Sequence, residues 1–411
     1  MTQIPSPVPM RDDVRVHPGP ALLSGLGGGP SLKAHRNQYG ALPRLDLPAL
    51  MDLARAAGLR GRGGAGFPFA IKLSTVAEGK RRPVVVVNLS EGEPASSKDS
   101  ALAQARPHLI LDGAVVAAVA LGARDVYVVL PGDRPLAAQR MTKAMAERKD
   151  PVRLHRSIAD SRFVAGQARA VIELLSGRPN LPATTWVPDA VSGLDGRPTL
   201  LSNAETWAHV GYLALRGEAA YRSNGTPDEP GTTLMTITAP GMVPQVREVA
   251  YGTRLRDVLP SSLHGAPALV GGFHGSWATW PTLASAKVSV GGFRSLGLAL
   301  GAGIIHLPGR DACPLEFTSR VVDYLADQSA KRCGPCLNGL PALADAVRGL
   351  LVGSGRQARI EVLAGMVERR GACAHPDGTV RLVRSLFTML PEEVAAHATG
   401  GCMHRPLRVA S

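Results

Sequence analysis

Two stretches of the chain carry residue types that packing alone does not call for. Gly61-Arg62-Gly63-Gly64-Ala65-Gly66-Phe67-Pro68, with Lys72 just beyond, leaves almost no side-chain bulk along the loop. Backbone N–H groups there can approach a flat or phosphorylated ligand closely, and the glycines admit positive φ. Arg62 and Lys72 add positive charge, which suits an anionic ligand; a plain flexible loop is the alternative for a glycine run taken alone. The second stretch is Cys333-Gly334-Pro335-Cys336, followed by Cys373 and Cys402. Cys-x-x-Cys offers two thiolates from one turn to one metal or one cluster face. Three chemistries use this spacing: an iron–sulfur cluster, zinc completed by His375 or Cys402, and a redox dithiol. The helical surroundings weigh against the dithiol, and a pair of unused buried thiols is the plain alternative.

A third group stands at a strand end. Pro83–Asn88 holds a four-valine run of the kind buried on both faces of a parallel sheet. Asn88-Leu89-Ser90-Glu91-Gly92-Glu93-Pro94 and Lys98-Asp99 then set an amide, carboxylates and a Lys–Asp pair at the carboxyl edge, where open α/β sheets take ligands. An acidic turn around Gly92 and Pro94 explains the same residues more simply. The elements that must position these groups are legible on both sides. Helical spacing runs over Asp46–Ala57, Phe69–Val76, 107–122 and 158–176, and Asp125–Leu130 reads as another buried strand, so the alternation implies a right-handed β-α-β unit. Thr199–Thr206 reads as a short strand feeding a helix. Leu234–Thr238 and Val246–Val249 around Pro240-Gly241 form a hairpin, and Thr253 is placed to cap a helix over Arg254–Leu259. From Thr318 onward the pattern is helical.

The length of 411 residues allows two or three domains, and 45% hydrophobic content fits a globular chain. A net charge of +13 points to nucleic acid, an anionic membrane surface or an acidic protein. The cations are scattered and aromatics are only 4%, so nucleic acid is the weakest of the three. The N-terminal residues to about Leu45 lack a basic segment followed by an apolar core, and Ala114–Ala123 is too short to span a bilayer. No transmembrane segment is therefore expected. Five cysteines, four of them after residue 330, fit a reducing, cytoplasmic location rather than a disulfide framework.

Taken together, these residues resemble the NADH-binding flavoprotein subunit of respiratory complex I and its relatives in NAD-linked hydrogenases and formate dehydrogenases. The resemblance runs from about residue 55 to 402. It rests on the glycine loop, Asn88, Glu91, Glu93-Pro94, Lys98-Asp99, Pro107-His108-Leu109, Asn203-Ala204-Glu205-Thr206 and the cysteine turn, all in the family's order. It implies an α/β fold divided into a Pro/Gly-rich tail (1–45), a Rossmann-like FMN and NADH domain (46–228), a β-grasp insert (229–292) and a four-helix iron–sulfur domain (293–411). By resemblance, Gly61, Arg62, Gly63, Gly64, Gly66, Phe67, Lys72, Asn88, Glu91, Gly166, Ser202 and Asn203 bind the cofactors. Phe67 and Glu93 match positions near the nicotinamide, Glu93 and Lys72 are the candidates for chemistry, and Cys333, Cys336 and Cys373 are cluster ligands.

The sequence departs from the family pattern at four places. The first cluster thiolate is Ala330, so a [4Fe-4S] cluster has an incomplete cysteine set, needs a recruit such as Cys402 or His375, or survives as a remnant. An acidic turn reads Gly166-Gln167-Ala168, an Arg-Gly-Glu-Tyr stretch reads Pro131-Gly132-Asp133-Arg134, and an Asp beside the flavin is Ser90. The resemblance implies electron transfer from NADH to FMN to a cluster or a ferredoxin partner, and the basic surface suits an acidic carrier or another redox subunit, with a place peripheral to a membrane complex compatible. A degenerate scaffold that docks partners without oxidising NADH is the alternative.

Overall fold

The computed structural model describes residues 4–10, 12–309 and 311–404. Its strands are β1 Arg15–Val16, β2 Val84–Asn88, β3 Asp125–Leu130, β4 Arg153–Ile158, β5 Thr199–Asn203, β6 Thr232–Thr238, β7 Gln245–Ala250, β8 Ala268–Val270, β9 Ser276–Ala278 and β10 Ile304–His306. They form a sheet of order β4-β3-β2-β5, parallel throughout, and a mixed sheet of order β1-β7-β6-β10-β8-β9.

Val84, Val85, Val86 and Val87 of β2 are fully buried, as a central strand covered on both faces requires. The helices Pro107–Ala120 and Ala204–Arg222 cover one of those faces. They approach at backbone distance, because a Cβ on Gly113 would run into the Trp207 carbonyl and one on Gly211 into the Leu109 carbonyl. Trp207 then pins its helix to the sheet: its indole N–H is shared between the Val86 carbonyl (3.0 Å) and the Ser202 carbonyl (3.1 Å). The strands that end in Asn88 and Asn203 are thereby fixed by one buried side chain.

In the mixed sheet, β6 and β7 form the expected antiparallel hairpin, β10 runs parallel to β6, and β8 and β9 complete a β-grasp arrangement. Four helices, Pro314–Asp327, Leu340–Leu351, Gln357–Val367 and His375–Met389, with the short Pro391–Ala398 packed on them, make the carboxyl-terminal region. Trp277 of β9 donates to Thr318 Oγ1 at 2.8 Å and joins sheet to helices. Among the described residues no helix is long and apolar enough to cross a membrane.

Four sequence expectations change. The described part of residues 1–45 is not a loose tail: Leu22 and Leu23 are fully buried, β1 pairs with β7, and the Glu248 carboxylate accepts from the backbone N–H groups of Ala21, Leu22 and Leu23 at 3.1, 2.8 and 2.9 Å. The β-grasp sheet extends past residue 292 to take in β10, which pairs with the edge of β6 that β7 leaves open. The helix expected over 158–176 is β4's last residue, a 3₁₀ turn at Phe163–Gly166 and a helix at Ala168–Leu175. Finally, Thr253 Oγ1 donates to the Ala250 carbonyl and leaves the helix Leu255–Val258 without a side-chain cap.

Candidate functional site

Within the parallel sheet the chain proceeds from β2 to β3 and β4 on one side, then returns to place β5 on the other. The reversal opens a crevice at the carboxyl ends of β2 and β5. Asn88 and Asn203 face each other there as register partners, one step beyond Val87 and Ser202. Asn88 donates from Nδ2 to the Gly166 carbonyl (2.8 Å), and its Oδ1 accepts from the backbone N–H (3.2 Å) and hydroxyl (2.6 Å) of Ser90. A Cβ on Gly166 would lie 2.8 Å from Ser90 Oγ, so the Gly166 turn packs directly on this strand end.

The glycine loop is tied to the same edge, because the Arg62 backbone N–H donates to Thr206 Oγ1 at 2.8 Å and the Thr206 hydroxyl donates to Asn203 Oδ1. Gly64 (φ 99°) and Gly66 (φ 61°) use backbone conformations that side chains resist, and Gly66 has open space where a Cβ would stand. Phe67 is 53% exposed at the loop's end. Lys72, on the helix Phe69–Ala77, reaches the Leu201 carbonyl of β5. Burial pulls its pKa down, partly countered by Asp189. A buried ammonium bonded to a carbonyl rather than to a carboxylate gains from an anionic ligand. Behind the loop lies a cavity of about 370 Å³, bordered by Arg60, Ala65, Glu229, Arg294 and Leu300.

Other predicted residues point elsewhere. The Arg62 guanidinium turns inward, 3.1 Å from the Tyr221 hydroxyl and 5.0 Å from the centre of the Tyr251 ring. Its charge thus braces the loop from below rather than facing a ligand, and the two tyrosines offset its desolvation. The Glu91 carboxylate accepts from Ser96 Oγ (2.7 Å), the Asp99 N–H (2.9 Å), the Ser100 N–H (2.9 Å) and the Ser100 hydroxyl, capping the helix Lys98–Ala105. Glu91 itself sits at φ 43°, a strained turn that this cap holds in place. Glu93 bridges the two sheets: its carboxylate accepts from the Phe273 N–H (2.9 Å) and the Ala95 N–H (3.3 Å), and burial pushes its pKa up to about 7. Beside it, Phe163 stacks on Phe273 at 6.3 Å and meets His274 at 4.6 Å.

At the cysteine turn, Pro335–Gly339 is π-helical and leads into Leu340–Leu351. The Cys336 thiol is pushed up to about 12 by burial and by the neighbouring Cys333 and Cys373 sulfurs. Cys373 is also raised by burial, and the Gln167 side chain hydrogen-bonds to it. Cys333 and Cys373 thus both lie near enough to Cys336 to perturb its thiol, while Ala330, buried ahead of the turn, leaves the place of the first thiolate without a donor. Neither suggested recruit fills it. His375 uses Nε2 on the Leu325 carbonyl (2.8 Å) and Nδ1 against His274 Nε2 (3.1 Å). Cys402 lies 3.4 Å from Glu393 Oε1, in a separate group with Cys313 and His397. That group has little signature in the sequence beyond Glu393 and His397, one helical turn apart.

Residues 54–212 match a family model described as the Nuo51 FMN-binding domain, and residues 316–397 match one described as the NADH-ubiquinone oxidoreductase-F iron-sulfur binding region. The chain belongs to this NADH-binding flavoprotein family, as a divergent member. The first match spans the parallel sheet and the glycine loop, the second the helices around the cysteine turn. Over 405 residues the chain is 28% identical to an NADH-quinone oxidoreductase subunit of Rhizobium meliloti (strain 1021), covering 92% of this chain and 94% of that protein. The corresponding NADH-quinone oxidoreductase subunit of Streptomyces coelicolor is 28% identical over 383 residues, with 87% and 85% covered. Among solved structures, a chain of an NAD+-reducing [NiFe]-hydrogenase in the H2-reduced state matches with a TM-score of 0.81 at 26% identity, covering 94% of this chain and 68% of that one.

The residues at the sheet edge fit FMN: the loop glycines leave the cradle open at Gly66, the strand-end amides are in place, and Lys72 brings a cation without a bonded carboxylate. At the cysteine turn Cys333, Cys336 and Cys373 offer three thiols towards a cluster, and Ala330 offers no fourth.

Proposed function

We propose that the chain is a flavin-dependent electron-transfer oxidoreductase that takes electrons from NADH through FMN towards an iron–sulfur cluster and a protein partner. The observation that carries this reading is the pairing of Asn88 with Asn203 at the reversal of the parallel sheet, beneath a glycine loop and beside the buried Lys72 ammonium. When bound, FMN would supply the exchange between two-electron and one-electron chemistry. The loop N–H groups of Gly63, Gly64 and Gly66, with Asn88, Ser202 and Asn203, bind and orient; Lys72 places positive charge against the ligand. Phe67 offers an exposed ring for stacking at the open end of the cradle. Glu93 holds or releases a proton at its carboxylate near neutral pH, and the N–H groups of Phe273 and Ala95 that donate to its two oxygens fix how that carboxylate is turned. Cys333, Cys336 and Cys373 bind the cluster, with Gln167 beside Cys373 in place of an acidic group. The relatives' names as subunits of redox assemblies support an electron-transfer protein as partner, and the +13 charge favours an acidic one such as a ferredoxin.

Reconstitution with excess FMN followed by desalting tests the reading. Retained flavin near one per chain is the expected result, and a chain that leaves the column colourless overturns it. A second reading, a docking subunit without NADH chemistry, draws on the missing donor at Ala330 and on Ala168, where a carboxylate has gone.

A further inference from the structure

Away from both sites, four potential metal-ligating side chains converge where the carboxyl-terminal segment returns to the helices. Cys313 precedes the helix Pro314–Asp327, Glu393 and His397 share one face of Pro391–Ala398, and Cys402 lies in the segment that follows. The four ligand atoms all lie within 4.8 Å of one another. Cys313 Sγ is 3.1 Å from Glu393 Oε1 and 3.2 Å from His397 Nε2, His397 Nε2 is 3.0 Å from Glu393 Oε1, and Cys402 Sγ is 3.4 Å from that oxygen. These separations match the edges of a small tetrahedron, for which bonds of about 2.0–2.3 Å from sulfur, nitrogen and oxygen to a central ion set ligand spacings of roughly 3–4 Å. Cys313, Glu393 and His397 are 3%, 3% and 6% exposed. So many ionisable groups in one dry place call for a shared cation.

The surroundings are those of a built metal site. His397 Nδ1 lies 3.2 Å from the Leu351 carbonyl, which fixes the tautomer that leaves Nε2 free to ligate. The Met403 N–H donates to Glu393 Oε2 at 3.2 Å and keeps Oε1 turned to the centre. Cys313 caps its helix, accepting from the Glu316 N–H at 3.3 Å, so a thiolate there also meets the positive end of the helix. Cys313 borders a cavity of about 380 Å³, which gives an ion a route in.

We propose that Cys313, Glu393, His397 and Cys402 bind a single zinc-class divalent ion in a closed, structural site that clasps the carboxyl-terminal segment to the helical region. Two sulfurs, one imidazole and one carboxylate with no position left for substrate describe a structural rather than a catalytic centre. The site is independent of the Cys333 turn and of flavin chemistry.

The test uses the full chain, with zinc and iron measured after dialysis against metal-free buffer, and Co²⁺ as a spectroscopic probe. One zinc per chain is expected. It should survive in the Cys333→Ser/Cys336→Ser variant and vanish in Cys313→Ser/Cys402→Ser. Cobalt added to the zinc-free wild type should give thiolate charge-transfer and tetrahedral d–d bands. If the double variant does not fold, Cys402→Ser alone, checked by retained FMN and circular dichroism, should weaken cobalt binding more than the roughly 10–100-fold typical of an outer-shell change. A wild type that takes up neither zinc nor cobalt overturns the proposal, as does zinc that follows Cys333 and Cys336 instead, or a Cys313–Cys402 disulfide in protein prepared anaerobically.

Discussion

At the edge of the parallel sheet, Asn88 and Asn203 stand on strands whose register is set by buried valines and by one shared tryptophan N–H, and what the glycine loop and strand ends offer there is backbone groups and short amides. At the Cys333 turn the donors are side chains alone, three sulfurs from the turn leading into a π-helical segment and from a distant loop, and the substitution at Ala330 leaves a place that neither His375 nor Cys402 fills. Backbone-built sites tolerate drift in the side chains around them. A cluster cannot, because each iron needs its own donor. The same divergence therefore leaves the backbone of the first region in place, though Ser90, Gln167 and Ala168 have replaced acids around it, and leaves the second short of a thiolate.

The largest expected effect comes from removing the pin of the sheet edge. Trp207→Ala empties a fully buried site and frees two strand carbonyls, which should cost about 3–5 kcal/mol in urea unfolding and lower FMN retention with it. Lys72→Met acts on the ligand rather than on the fold. Losing a charge-assisted bond of about 1.5–3 kcal/mol should weaken FMN binding about 10- to 100-fold in fluorescence titration, with iron content unchanged. Ala330→Cys probes the other region in the opposite direction: supplying the absent thiolate should raise iron retained after desalting, and unchanged iron would mean that the missing thiolate does not limit the cluster.

The smallest effect concerns Glu93. Folding raises this carboxyl to about 7, so the folded protein favours its neutral form. The stability it contributes is present below the ordinary carboxylate range and is lost as pH rises through about 7. Urea midpoints should fall between about pH 5 and pH 8 in the wild type and fall less in Glu93→Gln. An identical slope in both would show that another group titrates.

Much of this contrast is legible in the chain itself. The valine run, the hairpin and the order of glycine loop, strand-end amides and cysteine turn identify both regions, because each is local in sequence. What stays hidden depends on long-range partners. Arg62 looks ligand-facing until Tyr221 and Tyr251 are brought beneath it, and Glu91 reads as a flavin contact until the helix at Lys98 turns its N–H groups towards it. β4 leaves no strand signal because Arg153, His155, Arg156 and Ser157 give an edge strand no apolar alternation. Cys313 joins Cys402 only through the fold, across 89 residues of chain (402 − 313), so no spacing rule could pair them.

The most direct measurement is an anaerobic titration of the FMN-reconstituted chain with NADH, followed by absorbance and EPR together. Bleaching of the flavin at near-stoichiometric NADH, with an iron–sulfur signal appearing as reduction proceeds, is the expected result. Flavin that stays bound and oxidised in excess NADH would contradict the oxidoreductase reading and leave the docking role in its place.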